Sequence, residues 1–276
     1  MNLLSEIKLA YAKASVAEKI IYVTIFFYLC TALFTSFMVD WFALPSQLSE
    51  VISKPWTIIS YVFIHDRLIH VLSNLIVLYY IGNLFLDFYS EKTFINFYFL
   101  GTLFGGIAFL LVYYLTDKIG IPLGGASAAV TAIFVGIATK LPRYAIQLRL
   151  IGSVQLWVLA AIWVGLSLIQ LTNQNNGGAI AHTAGALFGF IYVKQLEKGN
   201  DIGKWFEYFV DYFLNFTSKS KKSPLKTVHR SHKKSDKEEV SKTKQRKIND
   251  ILDKISKSGY ESLSQEEKDF LFRSGK

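Results

Sequence analysis

The chain has 276 residues, of which 51% are hydrophobic and 18% charged, with a mean hydropathy of +0.30. Ordinary soluble domains carry about 25% charged residues, so this composition points to the membrane and away from a soluble globular protein. The net charge of +9 is concentrated in residues 217–276, which hold seventeen Lys/Arg against nine Asp/Glu; a basic tail on a nearly neutral body is read as cytoplasmic rather than as a nucleic-acid-binding surface.

In chain order, residues 1–19 carry Lys8, Lys13 and Lys19 but no hydrophobic core followed by a small-residue cleavage site. They are expected to be a cytoplasmic segment leading into a first span that acts as the targeting signal. A span needs about 20 apolar residues to cross about 30 Å of hydrocarbon. The candidate stretches are 20–41, 68–88, 94–116, 125–140, 150–172 and 179–196. The fourth and sixth are short and rich in Gly and Ala, so they are expected to be buried centrally, where small residues let helices approach closely. Residues 42–67, with Pro45, Pro55 and Trp56, are expected to form an interfacial loop lying on the membrane. Cys30 is the only cysteine, which excludes an intrachain disulfide.

Orientation follows from Lys and Arg in short loops. Lys140, Arg143 and Arg149 lie between spans four and five, and the basic tail follows span six. Both termini are therefore expected in the cytoplasm. Beyond span six, 197–216 is expected to be an interfacial segment because 205–216 is aromatic and amphipathic. Residues 217–247 read as a disordered basic linker, and 248–276 as a small cytosolic helical hairpin. In that hairpin Leu252 and Ile255 mark a first helix, Gly259 caps it, and Ser264 with Glu267 forms a capping box that opens a second helix bearing Phe270 and Leu271. The expected fold is thus an all-α polytopic membrane protein, a six-transmembrane-helix bundle over 20–196 with a short cytosolic helical tail.

Polar residues inside the bilayer are costly and by default mark function. His70 and Asn74, four residues apart, share one face of span two near its outer end. Ser127 lies at the outer end of span four and His182 at the outer end of span six. The loop charges, which take no account of these residues, place all four at similar depth. A serine hydroxyl is a poor nucleophile until a base removes its proton. His182 can be that base if spans four and six touch. Gly125, Ala126 and Ala128 beside the serine, with Ala181, Gly185 and Gly189 beside the histidine, make such contact feasible. Ser127 also opens a helix, whose free N–H groups are suited to an oxyanion; Asn74 and His70 can add donors. Each residue has a plainer reading: a packing serine, a His70/Asn74 bridge between helices. Their common depth is what raises the set. His65 is either a support behind the site or a surface histidine at the interface. Gly101 and Gly105 form a Gly-x-x-x-Gly contact, read as structural. No zinc-protease motif and no intramembrane Asp pair occurs, and no cofactor or metal is expected.

At these residues the sequence resembles the rhomboid family of intramembrane serine proteases, over roughly 55–196. The resemblance rests on His70-x-x-x-Asn74, Gly125-Ala126-Ser127, and Ala181-His182-x-x-Gly185-x-x-x-Gly189 on spans two, four and six. It implies a rhomboid-like bundle and a Ser127–His182 dyad with no third acid. It implies an oxyanion hole from the Ser127 N–H, Asn74 and His70, with Gly125 shaping the loop, and substrates that are single-span membrane proteins. His65 resembles another histidine of the family's second-span region. Departures are Ala128 where Gly is frequent, Thr131 where a Tyr often packs on the catalytic His, and Trp56-Thr57 for a Trp-Arg pair. A catalytically inactive rhomboid-like protein that escorts membrane clients is the alternative. A small transporter is disfavoured by the lack of an internal repeat and of midplane charge. The expected partners are single-span substrates and the lipid bilayer, not nucleic acid, with no oligomeric state read. The expected location is multi-pass in a membrane, the bacterial inner (cell) membrane.

Overall fold

Ser15 begins the first long helix with a capping box. Its hydroxyl accepts the Glu18 N–H at 3.2 Å, and the Glu18 carboxylate accepts the Ser15 N–H at 2.7 Å. In this computed structural model residues 3–149, 152–172, 176–217 and 235–274 are described, and the chain divides into two units, Met1–Lys219 and Ser220–Lys276. The first unit starts with α1 (Leu3–Lys13) and the Ser15-capped α2 (Val16–Leu33). The helix then breaks at Phe34 (φ −131°, ψ 51°) and resumes as α3 (Thr35–Phe42). The stretch 20–41 is therefore not the one continuous span expected from its hydropathy. The Thr31 and Thr35 hydroxyls donate to the carbonyls four residues back at 2.8 and 2.9 Å, a competition with the backbone ladder that bends helices.

The stretch 42–67 also departs from expectation. It contains α4 (Leu48–Ser53), α5 (Thr57–Ser60) and a 3₁₀ turn over Tyr61–Phe63. Its second half lies inside the bundle: Tyr61, Val62 and Ile64 are buried, and the Tyr61 hydroxyl donates to the Thr102 carbonyl at 2.7 Å. Its first half is mixed: Ala43, Leu44 and Val51 are buried while Leu48 and Ile52 are exposed, and the exposed Trp56 stacks on Trp41 at 6.1 Å and donates its indole N–H to the Trp41 carbonyl at 2.7 Å.

There follow α6 (Leu68–Leu86), α7 (Glu91–Thr116) and α8 (Ser127–Lys140). A hairpin then forms from β1 (Ala145–Leu148) and β2 (Gly152–Gln155), antiparallel with Ala145 opposite Gln155. Next come α9 (Leu156–Gln170), α10 (Gly177–Glu197) and α11 (Lys204–Thr217). The hairpin corrects the expected fifth span: its helix starts at Leu156, not at 150. Ile146 and Leu148 alternate with Gln147 and Arg149, a period-two pattern that suits a strand, and an apolar count alone passes over it. Among the described helices α2, α6 and α7 are long and apolar enough to cross a membrane, while α8 and α9 are shorter apolar helices. Phe26, Ile76, Leu111, Ile162 and Ile169 are exposed on the outside of the bundle, as suits a surface facing hydrocarbon.

Between Ser127 and Ala138 every residue of α8 except Val135 is buried. Lipid removes most of the hydrophobic gain on helix association, so close van der Waals fit must hold this centre. On one side Gly101 and Gly105 of α7 face it: a Cβ on either would lie 2.7 Å from the Cβ of Ala132 or Ala128. On the other side Gly185 and Gly189 of α10 back onto the carbonyls of Ala128 and Ala132. The two pairs advance in the same sense, so α8 and α10 run parallel. At the other end of the bundle Phe97 stacks on Tyr192 with centroids 4.3 Å apart. The Tyr192 hydroxyl donates to Asp201 at 2.6 Å, and the Asn96 amide donates to Tyr192 at 3.1 Å and to Glu207 at 3.0 Å, which anchors α11 to α7 and α10.

The second unit comprises α12 (Ser235–Ser258), a 3₁₀ turn over Tyr260–Ser262 and α13 (Gln265–Ser274). The helix begins at Ser235, well inside the stretch 217–247 read from sequence as disordered; residues 218–234 of that stretch lie outside the described residues. Gly259 ends α12 at φ +79°. The capping box is present: Ser264 Oγ accepts the Glu267 N–H at 3.3 Å, and Glu267 accepts the Ser264 N–H at 2.7 Å. Lys254, 2.9 Å from the same carboxylate, holds Glu267 below the usual carboxylate range. Ile251 and Leu263 are buried here, whereas Leu252 is exposed. Ile251 and Ile255, four apart, share the inner face, and Leu252 lies about 100° round from it.

Candidate active site

The loop entering α8 is shaped by Gly125, whose φ of +124° lies in the region that glycine alone adopts freely. Its N–H donates to the Tyr61 carbonyl at 2.9 Å, so the buried turn of 42–67 holds it in place. A Cβ here would lie 2.7 Å from His70 Cε1, 3.0 Å from His70 Nε2 and 3.7 Å from Ser127 Oγ. The imidazole of His70 thus presses on the Gly125 backbone beside the serine hydroxyl. Its other nitrogen, Nδ1, is 4.0 Å from Asp66 Oδ1.

One residue on, the Ala126 N–H donates to His65 Nε2 at 3.2 Å. The Asn74 side-chain nitrogen lies 3.3 Å from the same Nε2 and donates to the His70 carbonyl at 3.1 Å. A backbone N–H can only donate, so Nε2 of His65 accepts, and its proton sits on Nδ1, which faces the Phe63 carbonyl at 3.4 Å. The same logic orients the Asn74 amide with nitrogen toward His65. His65 is 1% exposed, which removes the surface reading. It is the link between Asn74 and the loop carrying Ser127.

Ser127 is the first residue of α8 and is buried; the Ala126 N-cap supplies no side-chain acceptor. The N–H groups of the first turn therefore lack intrahelical partners. His182 stands on α10 one turn before Gly185, on the same face. Gly185 backs onto Ala128, and a Cβ on Gly105 would meet both Ala128 Cβ at 2.7 Å and the Ala181 carbonyl at 3.2 Å. Parallel packing therefore sets Ser127 and His182 at one level. Among the described residues Ser127 Oγ makes no hydrogen bond to His182. Direct contacts gather His65, His70, Asn74, Gly125 and Ser127; helix packing brings His182 to them.

One neighbour goes unnoticed in the sequence. Ser167 of α9 places its Oγ 3.0 Å from His182 Nδ1 and 3.1 Å from the Trp163 carbonyl. The Trp163 indole N–H donates to Thr131 Oγ1 at 2.8 Å. A serine in an apolar helix carries no pattern that distinguishes it from one bonded only to its own backbone.

Residues 53–197, more than half of the chain, match the model of the Rhomboid domain. The chain belongs to the rhomboid family. It is accordingly a helical integral membrane protein, and every site residue described above lies within the rhomboid match. Residues 234–274, which span α12 and α13, match a family of unknown function (DUF6576). No curated protein matches the chain. In this rhomboid domain an open cavity of about 450 Å³ lies beside the site, lined in part by Ile64, Asp66, His70, Leu123, Gly124 and Gly177.

Proposed function

We propose that this rhomboid protein is an intramembrane serine endopeptidase that cleaves single-span membrane proteins within or near their transmembrane segment. The observation that carries the reading is the meeting at Gly125, where Ser127 Oγ and the His70 ring share one backbone turn at the start of a buried helix. Ser127 Oγ attacks the scissile carbonyl carbon while His182 Nε2 takes its proton. The Ser127 N–H and the His70 side chain donate to the oxyanion, and Asn74, whose two amide protons rest on His65 Nε2 and the His70 carbonyl, joins them by giving up one of those bonds. Collapse of the tetrahedral intermediate returns the proton to the leaving amine. Water, activated by the same histidine, then releases the acyl group from Ser127. Catalytic hydrogen bonds tighten when substrate binds, so the Ser127–His182 bond is expected to close on the substrate. The cavity beside His70 gives water a route.

The reading includes six spans over 20–196, with both termini in the cytoplasm of a bacterial cell and the site near the outer surface. The 14-residue α8, buried along nearly its whole length, is sheltered from lipid and so needs less apolar length than α6 and α7, whereas α10 turns Leu187, Phe190 and Ile191 outward. Residues 197–216 then lie at the inner interface, and the basic segment with its hairpin lies in the cytoplasm. Reporter fusions after Lys19 and after Thr217 are expected to report the cytoplasm; an external signal at either point breaks this topology.

The purified protein is expected to cleave members of a panel of single-span substrates in detergent and to be labelled at Ser127 by a serine-reactive phosphonate. Failure of both assigns the chain to the inactive, client-binding kind of rhomboid. His70→Ala is expected to lower kcat by about a hundredfold with little change in KM, as for loss of one oxyanion donor. Asn74→Ala should match it and also lower thermal stability, because Asn74 holds His65 as well. A raised KM at unchanged kcat would place either residue in substrate binding instead.

A further inference from the structure

We infer that Ser167 is a positioning residue that decides which nitrogen of His182 carries the proton. The inference rests on the protease reading above, in which His182 Nε2 is the base. A serine hydroxyl has one proton and two lone pairs. The Ser167 hydroxyl proton is taken up by the Trp163 carbonyl at 3.1 Å, the ordinary back-bond of a serine in a helix. Its Oγ, 3.0 Å from His182 Nδ1, must then accept the Nδ1–H. That leaves Nε2 with its lone pair, the tautomer able to take a proton from Ser127. In the reverse arrangement Ser167 would donate to Nδ1 and the ring would turn an Nε2–H toward the nucleophile, where it can accept nothing. Among the described residues no other group forms a hydrogen bond with the His182 ring.

The setting makes this selection firm. Ser167 is 4% exposed, and a buried polar group without a partner is costly. The bond from Trp163 to Thr131 joins α9 to α8 one turn below Ser127, at 2.8 Å. Nucleophile, tautomer-setting hydroxyl and carbonyl acceptor are therefore held by two helices that are pinned together. A neutral hydroxyl here takes the place that a carboxylate occupies in the Ser-His-Asp arrangement, where the third group fixes tautomer and orientation.

The test compares the full-length protein with its Ser167→Ala and Ser167→Thr forms. Steady-state cleavage of a single-span substrate is measured in detergent, together with ¹⁵N spectra of labelled histidine assigned by difference from His182→Ala. Ser167→Ala is expected to lower kcat by about tenfold to a hundredfold with KM nearly unchanged, part of the contribution of a well-placed general base. The His182 signal should change from the Nδ1–H form to a mixture. Ser167→Thr, which keeps the hydroxyl and its back-bond, should restore both. Wild-type kcat in Ser167→Ala, a loss that threonine does not restore, or a predominantly Nε2–H His182 in the parent protein would each overturn the inference. Should the parent neither cleave nor take the phosphonate, the protease reading fails instead, and the tautomer spectra still decide the Ser167–His182 bond.

Discussion

Ser127→Ala is expected to abolish cleavage, a loss of at least about 10⁴-fold in kcat, while the protein folds as before. Removal of a serine nucleophile from a coupled set costs on this scale, and the costs do not add. His182→Ala should lose about as much, and the double variant little more than either. The hydroxyl of Ser127 makes no hydrogen bond among the described residues, so its deletion breaks no structural contact and the melting temperature should stay put. Substrate cleavage, phosphonate labelling and thermal unfolding in detergent check all three points. Wild-type cleavage by either single variant would mean that the chemistry lies elsewhere, and a fall in melting temperature matching the loss of activity would make Ser127 a packing residue.

Gly185→Leu should be nearly as damaging for a different reason. Even a single methyl at this position runs into the Ala128 carbonyl, which is backbone and cannot swing aside. Overpacking of a fitted core costs about 1–3 kcal/mol, and leucine brings several atoms where one already clashes. The relief available is separation of α10 from α8, which parts His182 from Ser127. Stability and kcat should therefore fall together. Gly165→Ala is the control: a Cβ there meets nothing within 4 Å, and alanine is the better helix former by up to about 1 kcal/mol. Its melting temperature should hold or rise. Normal melting and cleavage by Gly185→Leu would show that the close approach of these helices is dispensable.

The sequence displays what the bilayer demands more readily than what packing chooses. Long apolar runs such as Leu68–Leu86 and Glu91–Thr116 are plain because hydrocarbon solvent leaves the backbone few alternatives. The helix break at Phe34 is hidden because its neighbours are largely apolar, and the hairpin before Leu156 is hidden because its period-two alternation is short and runs directly into an apolar helix. Gly185 and Gly189 are readable as a small-residue stripe, and His70, Asn74, Ser127 and His182 stand out as polar groups in apolar surroundings. His65 is ambiguous, since a histidine just ahead of a span suits an interface equally well. Its burial depends on the inward turn at Tyr61–Ile64, which no local pattern announces. Ser167 is the hardest case. Its functional contact uses a lone pair left over from an ordinary helix back-bond, and only the three-dimensional approach of α9 to α10 reveals it.

The parallel course of α8 and α10 has an electrostatic result. Each helix carries the equivalent of roughly half a positive charge at its N-terminus, and both N-termini lie on the side of the bundle where Ser127 sits. Ser127 at the start of α8 is buried, and a buried charge is screened by salt less than an exposed one. The C-terminal ends of α7 and α9 close the same end of the bundle with the opposite sign, so the positive contribution is local to the first turns of α8 and α10. A negative oxygen forming on a substrate carbonyl at the first turn of α8 would enter a field already in place. The two aligned helices thus bias this corner of the protein toward anions through the backbone alone.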